Sequence, residues 1–238
     1  MKNTIILTVA FISLIFSESK AQDTQSFFKD ANIFFESYVF DGKVDYKTLV
    51  KSPEALNILV EKAKNIKVAV TDLHTYQAFW INAYNLSVIK GVIDNYPMKS
   101  PLDKKGFFDA VLYDVGGTKI TLNDIENKKL RGEFKNEARF HFVLVCAGLG
   151  CPPIISLAYK PETLEDQLQK QTEIALNNPN FIKVNGKKVQ LSQIFEWYKE
   201  DFVRAGTEIE FINRFRREAI VEKAKVSYYN YDWRLNEK

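Results

Sequence analysis

The 238-residue chain is 46% hydrophobic and 26% charged, so it has enough apolar side chains to bury the core of a globular protein. Its 33 Lys and Arg residues nearly balance 30 Asp and Glu residues, which leaves a formal net charge of +3. This balance predicts no polyanionic partner such as a nucleic acid, and the lack of repeats and low-complexity tracts argues against solenoid architectures.

The N-terminus has the order of a cleavable signal peptide. Lys2 precedes an apolar run over residues 5–16, and Ser19 and Ala21 place small residues where a signal peptidase reads the chain. The run is about a dozen residues long, whereas a membrane-spanning helix needs roughly 20. We therefore expect residues 1–21 to be removed from an exported, periplasmic or extracellular protein, with no transmembrane anchor left after cleavage. A buried N-terminal helix is the alternative.

Residues 22–238 contain no Pro-, Gly- or Ser-rich linker, which favours a single domain. Apolar residues at helical spacing predict amphipathic helices over residues 24–39 and 53–66. A third helix is predicted over residues 72–94 with Thr71 as its cap. It is apolar on nearly every face, so we expect it at the centre of the fold.

The rest of the chain is predicted to mix hairpins with helices. Hairpins are predicted at 111–115 with 118–121 and at 181–184 with 187–190. Strands are predicted at 140–146 and within the C-terminal tail at 226–236, and helices at 122–131, 163–177, 193–203 and 208–219. Helices and hairpins alternate without regular βαβ spacing. The predicted class is therefore α+β, with a buried central helix packed on short antiparallel strands and surrounded by helices.

The only two cysteines, Cys146 and Cys151, are separated by four residues. In an oxidising compartment such a pair often forms a disulfide, which for this small loop would contribute about 2 kcal/mol by the chain-entropy argument. The other interpretation is a thiol nucleophile, which needs a base to generate its thiolate. Both interpretations are consistent with the sequence.

His141 is the better candidate for that base, because His74 lies early in a predicted helix. Side chains five positions apart on a strand point to opposite faces, so His141 reaches Cys146 only if the predicted strand bends. Cys151 follows a turn with two glycines and is free of that restriction. The alternative for His141 is a hydrogen-bonded structural residue.

Four further polar residues are candidates for the site. Asn82 and Asn85 lie three apart on one face of the central helix, where buried amides need partners. They either tie the helix to a loop, or orient a substrate or a catalytic imidazole. Glu126 follows an apolar residue on a short helix and is a candidate to orient the base. Arg139 is a candidate to bind a substrate carboxylate.

No cofactor or metal is expected from the sequence. The H-x4-C-x4-C spacing of His141, Cys146 and Cys151 fits none of the familiar zinc patterns. The chain also lacks the glycine-rich phosphate loops, the zincin motif and the nucleophile elbow of serine hydrolases.

Five segments carry a family resemblance. They are residues 78–89 (AFWINAYNLSVI), 117–131 with its Ile125-Glu126, 141–152 (HFVLVCAGLGCP), 191–198 (LSQIFEWY) and the ending Tyr231-Asp232-Trp233. In this order they resemble the domain-of-unknown-function 547 family, which occurs in exported bacterial proteins and in plants and animals. The resemblance covers about residues 27–236 and implies no agreed reaction.

The resemblance marks the same polar residues as motif positions. Those positions are Asn82, Asn85, Glu126, His141, Cys146 and Cys151. Ala147 stands where the family more commonly has Gly, which implies a slightly stiffer turn.

Two hypotheses follow. The favoured one is a binding or scaffold module of the cell envelope, whose partner is a small molecule or a peptide. The other is a cysteine-dependent hydrolase or acyl-transfer enzyme, in which Cys146 or Cys151 attacks and His141 is the base. In that enzyme Glu126 or Asn82 orients His141. The second hypothesis requires His141, Glu126 and one cysteine to share a pocket.

Overall fold

The computed structural model describes residues 22–238, so the predicted signal peptide at 1–21 lies outside the described residues. The first described helix, α1, covers residues 22–38 and buries Phe27 and Phe35, in agreement with its apolar spacing. In the described part of the chain, no helix has both the length and the hydropathy needed to cross a membrane.

The central helix α4 (Leu73–Asp94) is buried along most of its length, from Tyr76 to Val92. Its apolar character on all faces explains this position, because a helix with no polar face has no side to turn to solvent. It begins after Asp72 rather than Thr71, and the Asp72 side chain makes no capping hydrogen bond. Shorter helices pack around it, which confirms the prediction of a buried central helix.

The remaining helices and strands are short. The helices are α2 (Tyr46–Lys51), α3 (Glu54–Asn65), α5 (Leu122–Asp124), α6 (Leu164–Asn177), α7 (Gln193–Trp197), α8 (Lys199–Phe202) and α9 (Glu208–Asn213), with 3₁₀ turns at Pro101–Asp103, Ala138–Phe142 and Pro161–Thr163. The strands are β1 (Val39–Phe40), β2 (Lys43–Val44), β3 (Tyr113–Val115), β4 (Thr118–Ile120), β5 (Ile182–Asn185), β6 (Lys188–Ser192) and β7 (Lys225–Tyr229).

The strands form three small sheets. β1 pairs with β2 and β3 with β4, while β5, β6 and β7 form the largest sheet. Both predicted hairpins are present, and Gly116, Gly117 and Gly186 adopt the positive φ angles that such turns require. β7 adds to β6 in parallel and brings the C-terminal tail back to the fold. Helices interleaved with small, mainly antiparallel sheets confirm the α+β class.

The strand predicted at residues 140–146 is wrong. Ala138–Phe142 forms a 3₁₀ turn, and the chain then runs irregularly to Cys146. A side chain, and not a neighbouring strand, provides hydrogen-bond partners for the main chain here. Asn85 donates to the carbonyl of Val143 and accepts from the N–H of Val145. The β-branched and aromatic residues of this segment are buried. Such residues occur both in strands and in buried irregular segments, so strand propensity does not distinguish the two. The side chains of His141 and Cys146 are therefore not held on opposite faces of a strand.

Two predicted helices are shorter than expected. The helix predicted at 193–203 breaks at Tyr198 into α7 and α8, and the one predicted at 208–219 ends at Asn213. The Asn213 side chain accepts from the N–H of Ile220 and donates to its carbonyl, which folds the chain back after α9. Side-chain hydrogen bonds thus replace the helical ones.

Two clusters of buried apolar residues build the interior. One surrounds α4, and the other lies between the β5–β7 sheet and helices α7 to α9. Cys151 packs against both clusters. The segment that carries the two cysteines therefore lies where the clusters meet.

Candidate functional site

Glu126, His141, Cys146 and Cys151 line one pocket of about 260 Å³. The other lining residues are mostly aromatic or aliphatic: Tyr84, Phe108, Asn123, Leu144, Ile194, Trp197, Tyr198, Tyr231 and Trp233. The structure thus brings all four residues that the sequence marks as catalytic candidates to the same cavity.

Glu126 belongs to a π-helical turn, Ile125–Leu130, that follows α5. Thr121 caps α5 by accepting from the N–H of Asp124 at 3.1 Å. The turn then widens, and the N–H of Arg131 donates to the carbonyl of Glu126, five residues earlier, at 2.8 Å. Such wide turns are frequent at functional sites because they reposition a side chain that a regular helix would direct elsewhere.

Cys146 and Cys151 are joined by a disulfide bond. The loop between them is held by the C-terminal tail, because Gly150 donates to the carbonyl of Asp232 at 2.8 Å and Ala147 accepts from Asn236 at 2.9 Å. Ala147 has a positive φ of 62°, a conformation that costs less for glycine. The backbone at position 147 therefore favours glycine over alanine.

The disulfide determines what the cysteines can do. A nucleophilic cysteine acts as a thiolate, and neither sulfur of a disulfide is one. This form of the site therefore holds no cysteine nucleophile. The sulfurs instead form part of the pocket wall, where the hydroxyl of Tyr231 lies 2.9 Å from the Sγ atom of Cys146.

His141 is buried and paired with a carboxylate that the sequence does not single out. Its Nε2 atom lies 2.8 Å from Oδ2 of Asp201, and the same oxygen accepts from Nε of Arg131 at 2.6 Å. The ring of Tyr198 lies against the imidazole, with 4.2 Å between ring centroids. The group that orients His141 is therefore Asp201, and Glu126 lies elsewhere on the pocket wall.

The charge of Asp201 is stabilised in this arrangement. Burial alone would raise the pKa of its carboxyl group, but hydrogen bonds from His141 and Arg131 outweigh burial and hold that pKa well below its usual range. Asp201 lies within the helix predicted at 193–203, where an acidic residue is normally solvated. No sequence signal separates it from its neighbours Glu196 and Glu200.

One wall of the pocket is made of aromatic rings. The ring centroids of Trp197 and Tyr231 lie 5.0 Å apart, those of Tyr231 and Trp233 4.7 Å apart, and those of Trp197 and Trp233 5.9 Å apart. Trp197 comes from α7 and the other two from the C-terminal tail. The ending Tyr231-Asp232-Trp233 thus docks on the fold and also lines the site.

Three tyrosines line the pocket together with Glu126. Burial raises the pKa values of Tyr84, Tyr198 and Tyr231, and the negative charge of Glu126 raises all three further. Interaction of the Tyr198 hydroxyl with the Glu126 carboxylate also contributes to the raised pKa of Tyr198. The tyrosines therefore remain neutral at ordinary pH and add uncharged hydroxyl groups to the pocket lining.

The three residues that the sequence suggests for substrate binding lie outside the pocket. Asn82 donates to the carbonyl of Tyr159 at 2.7 Å and accepts from its N–H at 3.0 Å. Asn85 serves the main chain around Val143 and Val145 in the same way. The two amides therefore tie α4 to neighbouring loops, which is the structural alternative that the sequence left open.

Arg139 is the third of these residues. Its guanidinium group pairs with Glu137, and its Nη2 atom lies 2.9 Å from Oε2 of Glu165. With both carboxylates in place, this side chain is committed to ion pairs away from the pocket. Across residues 22–238, no three His, Cys, Asp or Glu side chains are grouped so that they suit a metal ion.

Residues 71–174 match the model of the family described as a protein of unknown function, DUF547. The match supports the resemblance seen in the sequence. No curated protein and no solved structure gives a significant match to the chain.

The DUF547 segment supplies only part of the pocket. Glu126, His141, Cys146 and Cys151 lie inside it, whereas the rings of Trp197 and Trp233 lie after it. The site is therefore completed by α7 and the C-terminal tail. An aromatic cavity with one carboxylate and a disulfide in its wall is suited to holding a small organic molecule.

Proposed function

We propose that this protein is an exported binding protein of the cell envelope whose pocket holds a small organic molecule. The observation that carries the proposal is the composition of the pocket: a cavity of about 260 Å³ with aromatic walls and few polar groups. Small-molecule sites are typically concave and apolar, with a few polar groups that fix the orientation of the ligand.

The fixed geometry of the walls supports a binding role. Tyr231 is held by hydrogen bonds at both ends, because its N–H donates to Oε1 of Gln193 at 2.8 Å and its hydroxyl reaches the disulfide. Trp197 and Trp233 pack on its ring. A pocket that is already ordered loses little conformational entropy when it takes up a ligand.

Binding is tested with N-phenyl-1-naphthylamine, a neutral dye that becomes fluorescent in apolar sites. The wild-type protein should bind the dye saturably at one site. Asn123 is an exposed residue of the pocket lining, so Asn123→Trp should obstruct the cavity and weaken dye binding by about tenfold or more. The matched control is Asn180→Trp, which adds the same side chain at an exposed position outside the pocket lining.

Two results would overturn the binding proposal. One is wild-type protein that does not bind the dye. The other is equal dye affinity in the Asn123→Trp and Asn180→Trp variants, because the dye would then occupy some other surface.

Two features support export. Residues 1–21 have the charged, apolar and small-residue order of a signal peptide. The disulfide between Cys146 and Cys151 belongs to the type of bond that persists in oxidising compartments and is rare in the cytosol. The mature protein would therefore begin at Gln22.

Export is tested by producing the full chain in a bacterium and determining the mass of the product in each cell fraction. We expect a product that begins at Gln22 in the periplasm or the medium. A product in the cytoplasm that retains residues 1–21 would refute the assignment. Ala21→Arg should block cleavage, because signal peptidases need a small residue at that position.

A further inference from the structure

We propose that the pocket selects a small organic cation, such as an ammonium group, which the carboxylate of Glu126 and the faces of Trp197, Tyr231 and Trp233 bind together. This inference rests on the proposed function, because it names the ligand class of the same pocket. Three independent features of the site support it: the charge of the lining, the aromatic walls and the state of the neighbouring basic residues.

The lining carries one carboxylate and no lysine or arginine. Glu126 is half-buried, and among residues 22–238 it forms no ion pair with a basic side chain. A carboxylate that is partly removed from water loses some of the stabilisation that hydration gives its charge. A bound positive charge compensates for that loss most effectively. The pocket therefore presents an uncompensated negative charge to its ligand.

The aromatic wall favours the same ligand class. The π face of an aromatic ring carries partial negative charge and attracts a cation within about 6 Å of the ring centroid. Trp197, Tyr231 and Trp233 lie within 5.9 Å of one another, so one compact cation is able to contact more than one ring. Glu126 lines the same pocket as these rings, which places the aromatic wall and the carboxylate in the same region.

The basic groups close to the site are already engaged. Arg131 pairs with Asp201, and its guanidinium lies over the ring of Tyr198, 4.6 Å from the centroid. His141 is bound to the same carboxylate. Because the whole chain has a net charge of +3, a general attraction for cations is not expected, and any preference for them must arise locally.

Choline and its neutral isostere 3,3-dimethyl-1-butanol are suitable probes, because they have nearly the same shape and differ in charge. Isothermal titration should show that choline binds the wild-type protein about tenfold more tightly than the alcohol. Glu126→Gln should remove most of that difference in affinity. Glu133→Gln is the matched control, because it alters net charge equally at an exposed residue outside the pocket.

The outcomes separate this inference from the proposed function. Equal affinity for the two probes, or a choline preference that survives Glu126→Gln, would overturn the cation inference and leave the binding function standing. Loss of the preference in Glu133→Gln would show a general charge effect and would also overturn it. If neither probe binds while N-phenyl-1-naphthylamine does, the cation inference alone fails. If none of the three binds, both proposals fail.

Discussion

The hydroxyl of Tyr231 donates a hydrogen bond to the Sγ atom of Cys151 at 2.8 Å. This contact joins the C-terminal tail to the disulfide, and the two residues are 80 positions apart in the sequence. The same ring forms part of the aromatic wall, so one side chain links the disulfide, the tail and the pocket.

The Tyr231→Phe variant separates the contribution of the hydroxyl to stability from that of the ring. The variant keeps the contacts with Trp197 and Trp233 and loses only the hydrogen bond to sulfur, so its free energy of unfolding should fall by about 1 kcal/mol. Tyr231→Ala also removes the ring and should cost about 3–5 kcal/mol. Urea unfolding measures both values. Equal losses in the two variants would contradict the packing described for the ring.

The disulfide is tested by mass spectrometry. Alkylation of the unfolded, non-reduced protein should add no mass, and alkylation after reduction should modify both Cys146 and Cys151. Replacing both cysteines by alanine should lower the free energy of unfolding by about 2 kcal/mol, because the crosslink closes a short loop. Two freely reactive thiols in the isolated protein would refute the bond.

Asp201 should make stability depend on pH. Its folded-state pKa is lowered below that of an unfolded aspartate, which is about 3.9. The stabilisation from its ionised form is therefore present above about pH 4 and is lost as the pH falls towards the folded-state pKa. Asp201→Asn should cost about 2 kcal/mol near neutral pH. The difference in unfolding free energy between wild type and variant should shrink between pH 5 and pH 2.

Asp114→Asn is the matched control for this measurement, because Asp114 has an exposed side chain with a single long contact of 3.6 Å to Lys119. The control should differ little from wild type at every pH. If the cost of Asp201→Asn stays constant from neutral pH to pH 2, the pairing with His141 and Arg131 does not govern the ionisation of Asp201.

Asn85 should matter for stability rather than for binding. Asn85→Ala leaves the carbonyl of Val143 and the N–H of Val145 buried without their partner, which should cost roughly 2–4 kcal/mol. Asn65→Ala, at an exposed position, should change stability by less than about 0.5 kcal/mol. Chemical unfolding gives both values. A stable Asn85→Ala variant with weakened ligand binding would contradict this assignment and show that Asn85 takes part in binding.

Local patterns were sufficient to predict much of the fold. The buried helix α4 follows from its apolar residues on every face, and the hairpins follow from Gly116-Gly117 and Asn185-Gly186. The segment 140–146 was mispredicted because its structure depends on Asn85, a residue more than fifty positions earlier. Strand propensity contains no information about such a distant partner.

Only part of the candidate site is predictable from the sequence. The two cysteines are recognisable because they are the only ones in the sequence and lie close together, and Glu126 and His141 because each is a polar group next to apolar residues. Asp201 and the aromatic wall were not recognisable, because their role arises only when α8 and the tail reach His141 and the disulfide. Asn82 looked functional because it is a polar residue in an apolar helix, but its amide serves the main chain of Tyr159.

The most direct test of the binding site uses the indole N–H signals of the three tryptophans in an NMR titration with benzyl alcohol. Trp197 and Trp233 line the pocket, whereas Trp80 is buried in α4 and serves as an internal control. We predict saturable shifts of the Trp197 and Trp233 signals and an unchanged Trp80 signal. Shifts confined to Trp80, or no shift in any of the three signals at saturating alcohol, would contradict this prediction.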